Sequence, residues 1–183
     1  MKTNIIVEVP KNSQIKYEFN RLTGKISVDR ILYGSYSYPM NYGFIEGALD
    51  WDGDELDALI ISNQAFMPGV SVPVRVIGAV EMIDNGETDT KLITVIDCDR
   101  RYDFIQSLKD VPEHWLNEVK DFFENYKNLQ NKKVLIKGFR GIEWAINEYN
   151  ECVELMKKYG ELPKEEFITK MKKEHPNKYP NIV

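Results

Sequence analysis

Val70-Ser71-Val72-Pro73-Val74-Arg75-Val76-Ile77 and Lys91-Leu92-Ile93-Thr94-Val95-Ile96 are the most strand-like runs of this chain. Both are dense in β-branched residues, which pack well on a pleated surface and lose rotamer freedom in a helix. Pro73 lacks a backbone donor, so its strand is expected to lie at an edge or to start late. Upstream, Ile15, Tyr17 and Phe19 alternate with Lys16 and Glu18, the period of a half-exposed strand. Asn20 to Gly24 supplies turn residues, and Lys25 to Ile31 returns as a hairpin partner. Downstream the period becomes helical. Asp110 and Glu113 have the spacing of a capping box, and Leu116, Val119, Phe122, Phe123 and Tyr126 recur on one face. A short strand near Lys133 to Lys137 precedes a second helical stripe, Ile142, Ala145, Ile146, Tyr149, Val153 and Met156, ending near Gly160. Strands first and helices last predict an α+β, mainly β fold: a closed or nearly closed small barrel with two C-terminal helices outside it. A parallel βαβ fold does not fit, because no helices alternate with the early strands.

The 183 residues, 43% hydrophobic and 29% charged, suit one globular domain with a short appendage. Residues 1–160 read as that domain. Residues 161–183 form a Lys-rich, Pro-punctuated extension with one weak helix, Lys164 to Lys173, expected to pack on a neighbouring subunit or stay loose. The balance of 24 Lys and Arg against 29 Asp and Glu gives a net charge of −5, which argues against a general nucleic-acid binder. Two cysteines, Cys98 and Cys152, make no disulfide framework and fit a reducing compartment. The apolar run Ile5-Ile6-Val7 is too short for a signal peptide, and no stretch is long enough to span a membrane. A cytoplasmic location is expected.

Asp50-Trp51-Asp52-Gly53-Asp54-Glu55-Leu56-Asp57 packs five carboxylates into eight residues. Two like charges about 4 Å apart repel by about 4 kcal/mol at an effective dielectric near 20. Such a segment folds against a core only if cations offset the repulsion or the side chains diverge into water. A solvated turn is the ordinary alternative, but Leu56 and Ala58 to Ile61 run directly into apolar sequence. A calcium EF-hand fails: Glu55 stands where its glycine belongs, and Ile61 where its bidentate Glu belongs. Zinc is disfavoured, because His114 and His175 are far apart and no Cys pair has ligand spacing. Oxygen-only ligation points to Mg²⁺ or Mn²⁺. A second acidic group, Asp84-Asn85-Gly86-Glu87-Thr88-Asp89, reads first as a hairpin turn and gains functional weight only if it faces the first. Lys16 and Glu18 share a strand face, Asp29-Arg30 closes the next strand, and Tyr126-Lys127 closes the first helix. Singly, each of these has an ordinary structural explanation.

Together they resemble soluble family I inorganic pyrophosphatases of the bacterial type. Asp52-Gly53-Asp54-Glu55-Leu56-Asp57-Ala58 is similar to that family's signature loop. The resemblance continues through Glu8-Val9-Pro10, Ile15-Lys16-Tyr17-Glu18, Val28-Asp29-Arg30, Tyr38-Pro39-Met40-Asn41-Tyr42-Gly43, Asp84 and Asp89 with Lys91, and Phe122-Phe123-Glu124-Asn125-Tyr126-Lys127, in the family's order. It implies a five-stranded β-barrel of the oligonucleotide-binding (OB-like) type with the site at its mouth, and hydrolysis of pyrophosphate to two orthophosphates. It implies several Mg²⁺ ions per site, replaceable by Mn²⁺ or Co²⁺, held mainly by Asp52, Asp57, Asp84 and Asp89. Glu18 would hold a further metal arriving with substrate, Glu8 would support the site, and Asp54 would orient and deprotonate the attacking water. Lys16, Arg30, Tyr42, Lys91, Tyr126 and Lys127 would hold the phosphates. It also implies a homo-oligomer, a hexamer in bacterial-type members, with no nucleic-acid or membrane partner.

Two other functions are weaker. A nucleotide pyrophosphohydrolase would share the phosphate chemistry, but no Walker-type Gly-Lys-Ser/Thr loop or base-stacking platform is evident. A non-catalytic nucleic-acid-binding barrel would need a basic aromatic groove, which an acidic mouth opposes.

Overall fold

The computed structural model describes residues 1–20 and 23–180; Arg21 and Leu22 of the expected turn, and Asn181 to Val183 of the extension, lie outside the described residues. In chain order the strands are β1 (Lys2–Val9), β2 (Ile15–Asn20), β3 (Lys25–Ile31), β4 (Asn41–Leu49), β5 (Glu55–Ile61), β6 (Ser71–Asp84), β7 (Glu87–Thr88), β8 (Lys91–Ile96) and β9 (Val134–Arg140). The helices are α1 (Glu113–Asn125), α2 (Ile142–Tyr159) and α3 (Lys164–Glu174).

The long β6 closes the barrel. Its first half pairs antiparallel with β1, and β6 also pairs with β8. The circuit β1–β4–β5–β8–β6 thus returns to β1 as a closed five-stranded barrel, antiparallel except between β5 and β8. Closure removes the edges an open sheet would leave unpaired. β6 continues past the barrel to pair with β7 and β9. β2 and β3 stand apart as a two-stranded hairpin with Lys16 opposite Arg30.

β5 and β8 are almost wholly buried, and the core gathers Ile5, Val7, Leu56, Leu59, Val74, Leu92 and Ile93. One close approach is obligatory. A Cβ on Gly43 would lie 2.0 Å from the Ile6 carbonyl oxygen, so only glycine lets β4 run this near β1. α1 adds Val119, Phe122 and Phe123 to the same core, and α2 adds Ala145 and Cys152.

Two expectations change, and a third is narrowed. Pro73 does not mark an edge, because β6 is paired on both sides. Pairing with β8 starts only at Val74, and the Asp97 N–H donates to the Pro73 carbonyl beyond the end of β8, so no ladder partner is lost. Asp110 does not cap α1. Its carboxylate turns back to accept from the Gln106 and Ser107 N–H groups (3.0 and 2.8 Å), closing a 3₁₀ turn, and α1 begins at Glu113 behind Pro112. The described part of the extension packs on its own chain. α3 buries Phe167 and Met171 against Leu49, Trp51 and Leu155.

Candidate active site

The acidic loop is a turn between β4 and β5, held by the Asp50 N–H donating to the Asp54 carbonyl (2.8 Å) and the Gly53 N–H to the Asp50 carbonyl (3.0 Å). Gly53 takes a φ of +85°, which a side chain would resist. The turn sorts its carboxylates. Asp50 points inward, 1% exposed, and accepts from the Trp51 N–H (2.8 Å) and the Thr90 N–H (3.0 Å). It therefore tethers this loop to the segment after the second acidic group. Asp52, Asp54, Glu55 and Asp57 face a cavity.

The second acidic group reaches the same cavity. Asn85 and Gly86 both have positive φ (50° and 89°), the geometry of a tight hairpin turn, and β6 pairs with β7 across it. Asp84 before the turn and Asp89 after it both line the cavity. The hairpin reading of Asn85-Gly86 and the functional one are therefore compatible.

The cavity holds about 350 Å³, and every site residue expected from the sequence lines it. Glu8 is the penultimate residue of β1, and its carboxylate accepts from the Phe19 N–H at 2.7 Å. Lys16 and Glu18 come from β2, 3.7 Å apart, and Lys16 also lies 3.4 Å from Asp29. Arg30 comes from β3 and pairs with Asp29. Tyr42 of β4 donates to Asp57 of β5. Lys91, the first residue of β8 and register partner of Asp57, pairs with both Asp57 and Asp89. Lys127, past the end of α1, pairs with Asp84 and lies over the Tyr126 ring.

Nine carboxylates and five cations line this space. Burial first, and the neighbouring charges second, shift the titration of its members. Burial, then the charge of Asp57, raises Glu8 from 4.5 to about 8. Burial and the neighbouring Asp89 and Asp54 hold Asp52 well above the carboxylate range. Burial also raises Asp57, opposed by Lys91. The Lys91 ammonium loses hydration, but Asp57 and Asp89 outweigh that and hold it firmly protonated. For Lys127 burial wins, and its pKa falls below the usual value despite Asp84. Burial keeps the Tyr42 and Tyr126 phenols protonated, hence donors.

Sequence reasoning missed several members. Tyr38 and Asp29 line the cavity beside residues it did name. Lys164, the first residue of α3, pairs with Asp54 across 110 positions of chain. No local pattern signals such a contact. Asp50, Glu148 and Cys152 come close enough to share an ion behind the loop. There both Asp50 oxygens already accept backbone N–H groups and Glu148 faces Lys178 at 3.4 Å, so this trio is structural.

A family model described as inorganic pyrophosphatase matches residues 5–157. An inorganic pyrophosphatase of Malacoplasma penetrans is 65% identical over 179 residues, 98% of this chain and 99% of that one. One of Mycoplasma pneumoniae is 59% identical over 176 residues, 96% of each chain. The crystal structure of inorganic pyrophosphatase from Thermus thermophilus superposes with a TM-score of 0.82 at 41% identity, covering 85% of this chain and 91% of that one. The barrel that those strand patterns predicted is therefore the barrel of a known enzyme group, and both acidic segments at its mouth fall within the residues the family model matches. The chain belongs to the family I inorganic pyrophosphatases, which hydrolyse pyrophosphate to two orthophosphates.

Proposed function

We propose that this reaction takes place in the 350 Å³ cavity and depends on Mg²⁺ ions held there by Asp52, Asp57, Asp84 and Asp89, with Glu18 engaging a further ion that arrives with substrate. The observation that carries this reading is the convergence of nine carboxylates and five cations on one small space. The residues fit a hard divalent ion. All the acidic donors are oxygens, and Asp84 Oδ1 is buried with no hydrogen-bond partner, an orphan that an ion would satisfy. Oxygen ligands would also accept Mn²⁺ or Co²⁺. Bound ions would supply charge neutralisation of pyrophosphate and acidification of a water near neutral pH.

The chain's own groups divide the remaining work. Asp54 is about half exposed at the cavity rim and accepts the proton of the attacking water. Lys16, Arg30, Lys91 and Lys127 donate to phosphate oxygens, Arg30 with up to two parallel bonds. Tyr42 and Tyr126 donate without adding charge. As the bridging P–O bond breaks, these fixed cations stabilise the negative charge gathering on the departing phosphate. Glu8 anchors the β2 backbone beside Glu18 through its bond to Phe19.

A homo-oligomer, a hexamer in bacterial-type members, follows from the family resemblance. A cytoplasmic setting is supported by two free cysteines, Cys98 and Cys152. No described helix is long and apolar enough to cross a membrane.

Asp54→Asn tests the central assignment. Turnover should fall at least about 100-fold, the usual loss on removing a general base. Calorimetry should still show Mg²⁺ uptake. An Asp54→Asn enzyme as fast as wild type overturns the role given to Asp54.

A further inference from the structure

The extension reaches both acidic segments. Tyr179 Oη donates to the Trp51 carbonyl at 2.6 Å, and the Lys178 ammonium lies 4.5 Å above the Trp51 ring. Lys172 pairs with Glu87 at 3.0 Å, and Thr88 Oγ1 donates to the Lys178 carbonyl at 2.7 Å. With Phe167 and Met171 buried beneath, residues 161–180 form a strap across the Asp50–Asp57 turn and the Asp84–Asp89 hairpin. The first turn of the strap reaches the cavity. Lys164 pairs with Asp54, and its stem crosses Gly53 so closely that a Cβ there would lie 2.9 Å from Lys164 Cγ.

Helix stability does not explain a lysine at this position. Lys164 is the first residue of α3, where the helix dipole disfavours a cation, and Glu165 and Glu166 already supply the favoured charge. Lys164 also lies beyond residue 157, where the family match ends. The strap therefore adds a cavity cation from a part of the chain outside that match.

We propose that Lys164 is a positioning residue of the reaction site: a built-in counter-ion on the side formed by Glu18, Asp52 and Asp54, which divalent ions must overcome to bind there. This rests on the metal-site reading above. The ammonium holds Asp54 in place before metal arrives and repels ions approaching Asp52 and Glu18. It thereby sets how much divalent ion the enzyme needs, acting through the carboxylates and not on the reacting atoms.

The test is calorimetric titration of the full-length protein with Mg²⁺ alone, with the Mg²⁺ dependence of pyrophosphate hydrolysis as a second readout. Lys164→Met keeps the stem over Gly53 and removes the charge. It should bind Mg²⁺ about two- to tenfold more tightly, the scale set by one partly exposed ion pair together with the relief of cation repulsion. The Mg²⁺ concentration for half-maximal rate should fall in step. Lys164→Arg should restore the wild-type affinity. The gain from Lys164→Met should shrink in an Asp54→Asn background, as expected if the two side chains act as a pair. Mg²⁺ affinity and Mg²⁺ dependence unchanged in Lys164→Met, beside a wild type that binds the ion, overturn the role of Lys164 alone. A wild type that binds no divalent ion overturns the metal site as well.

Discussion

Lys91→Met removes the most deeply buried charge of the cavity while keeping most of its stem. Lys91 is 3% exposed and pairs with both Asp57 and Asp89. After its loss Asp57 retains the Tyr42 hydroxyl, whereas Asp89 loses the cation that faced it. Leaving a buried charge without its partner costs about 3–5 kcal/mol. Protonation limits that penalty. Neutralising one carboxylate at pH 7 from an ordinary pKa near 4 costs about 1.4 kcal/mol for each of roughly three pH units, or about 4 kcal/mol. In chelator at pH 7 the variant should therefore unfold about 3–4 kcal/mol more easily than wild type. At pH 5 only about one unit of protonation is required, so the gap should shrink to about 1.5 kcal/mol. Saturating Mg²⁺ should close most of it, because the same carboxylates then face divalent cations. Urea unfolding at pH 5, 6 and 7, with and without Mg²⁺, measures all of these. A gap independent of both pH and Mg²⁺ would mean that Lys91 contributes packing alone, and the electrostatic account of the cavity would fall.

Glu8 gives a second pH signature. Its pKa rises from 4.5 unfolded to about 8 folded, so the stability it contributes is fully present below pH 4.5 and is lost as pH rises through 8. Metal-free wild type should lose stability relative to Glu8→Gln by up to about 1.4 kcal/mol per unit across that window; parallel profiles for the two proteins in chelator would contradict the shift. Gly43→Ala places a Cβ 2.0 Å from the Ile6 backbone oxygen, and it should destabilise by about 3 kcal/mol, measured by urea unfolding. A change under about 1 kcal/mol would show that β1 and β4 can separate there.

Much of this fold is legible locally because local physics agrees with the tertiary outcome. The β-branched runs became β6 and β8, the Asn85-Gly86 pair became the hairpin turn, and the stripe from Ile142 became α2. Local signals failed where a distant partner decides. Ser107 and Gln106 claim the Asp110 carboxylate that spacing assigns to α1. Pro73 is harmless in a doubly paired strand because β8 ends opposite it. The residues that line the cavity were legible through a motif spread over distant segments, and the barrel brings those segments to one mouth. Asp50 was indistinguishable from its neighbours in sequence, because only the turn's geometry sends it inward to the Thr90 N–H. Lys164 carried no signal at all, since its place depends on α3 docking beneath Trp51.

Orthophosphate release from pyrophosphate by the purified chain, followed in Mg²⁺, then in excess chelator, then after Mg²⁺ is restored, tests the whole account most directly. Release should be rapid, stop with chelator and return with the ion. Release that persists undiminished in chelator would contradict the function given to the carboxylates of the cavity, and no release in Mg²⁺ would contradict the reaction itself.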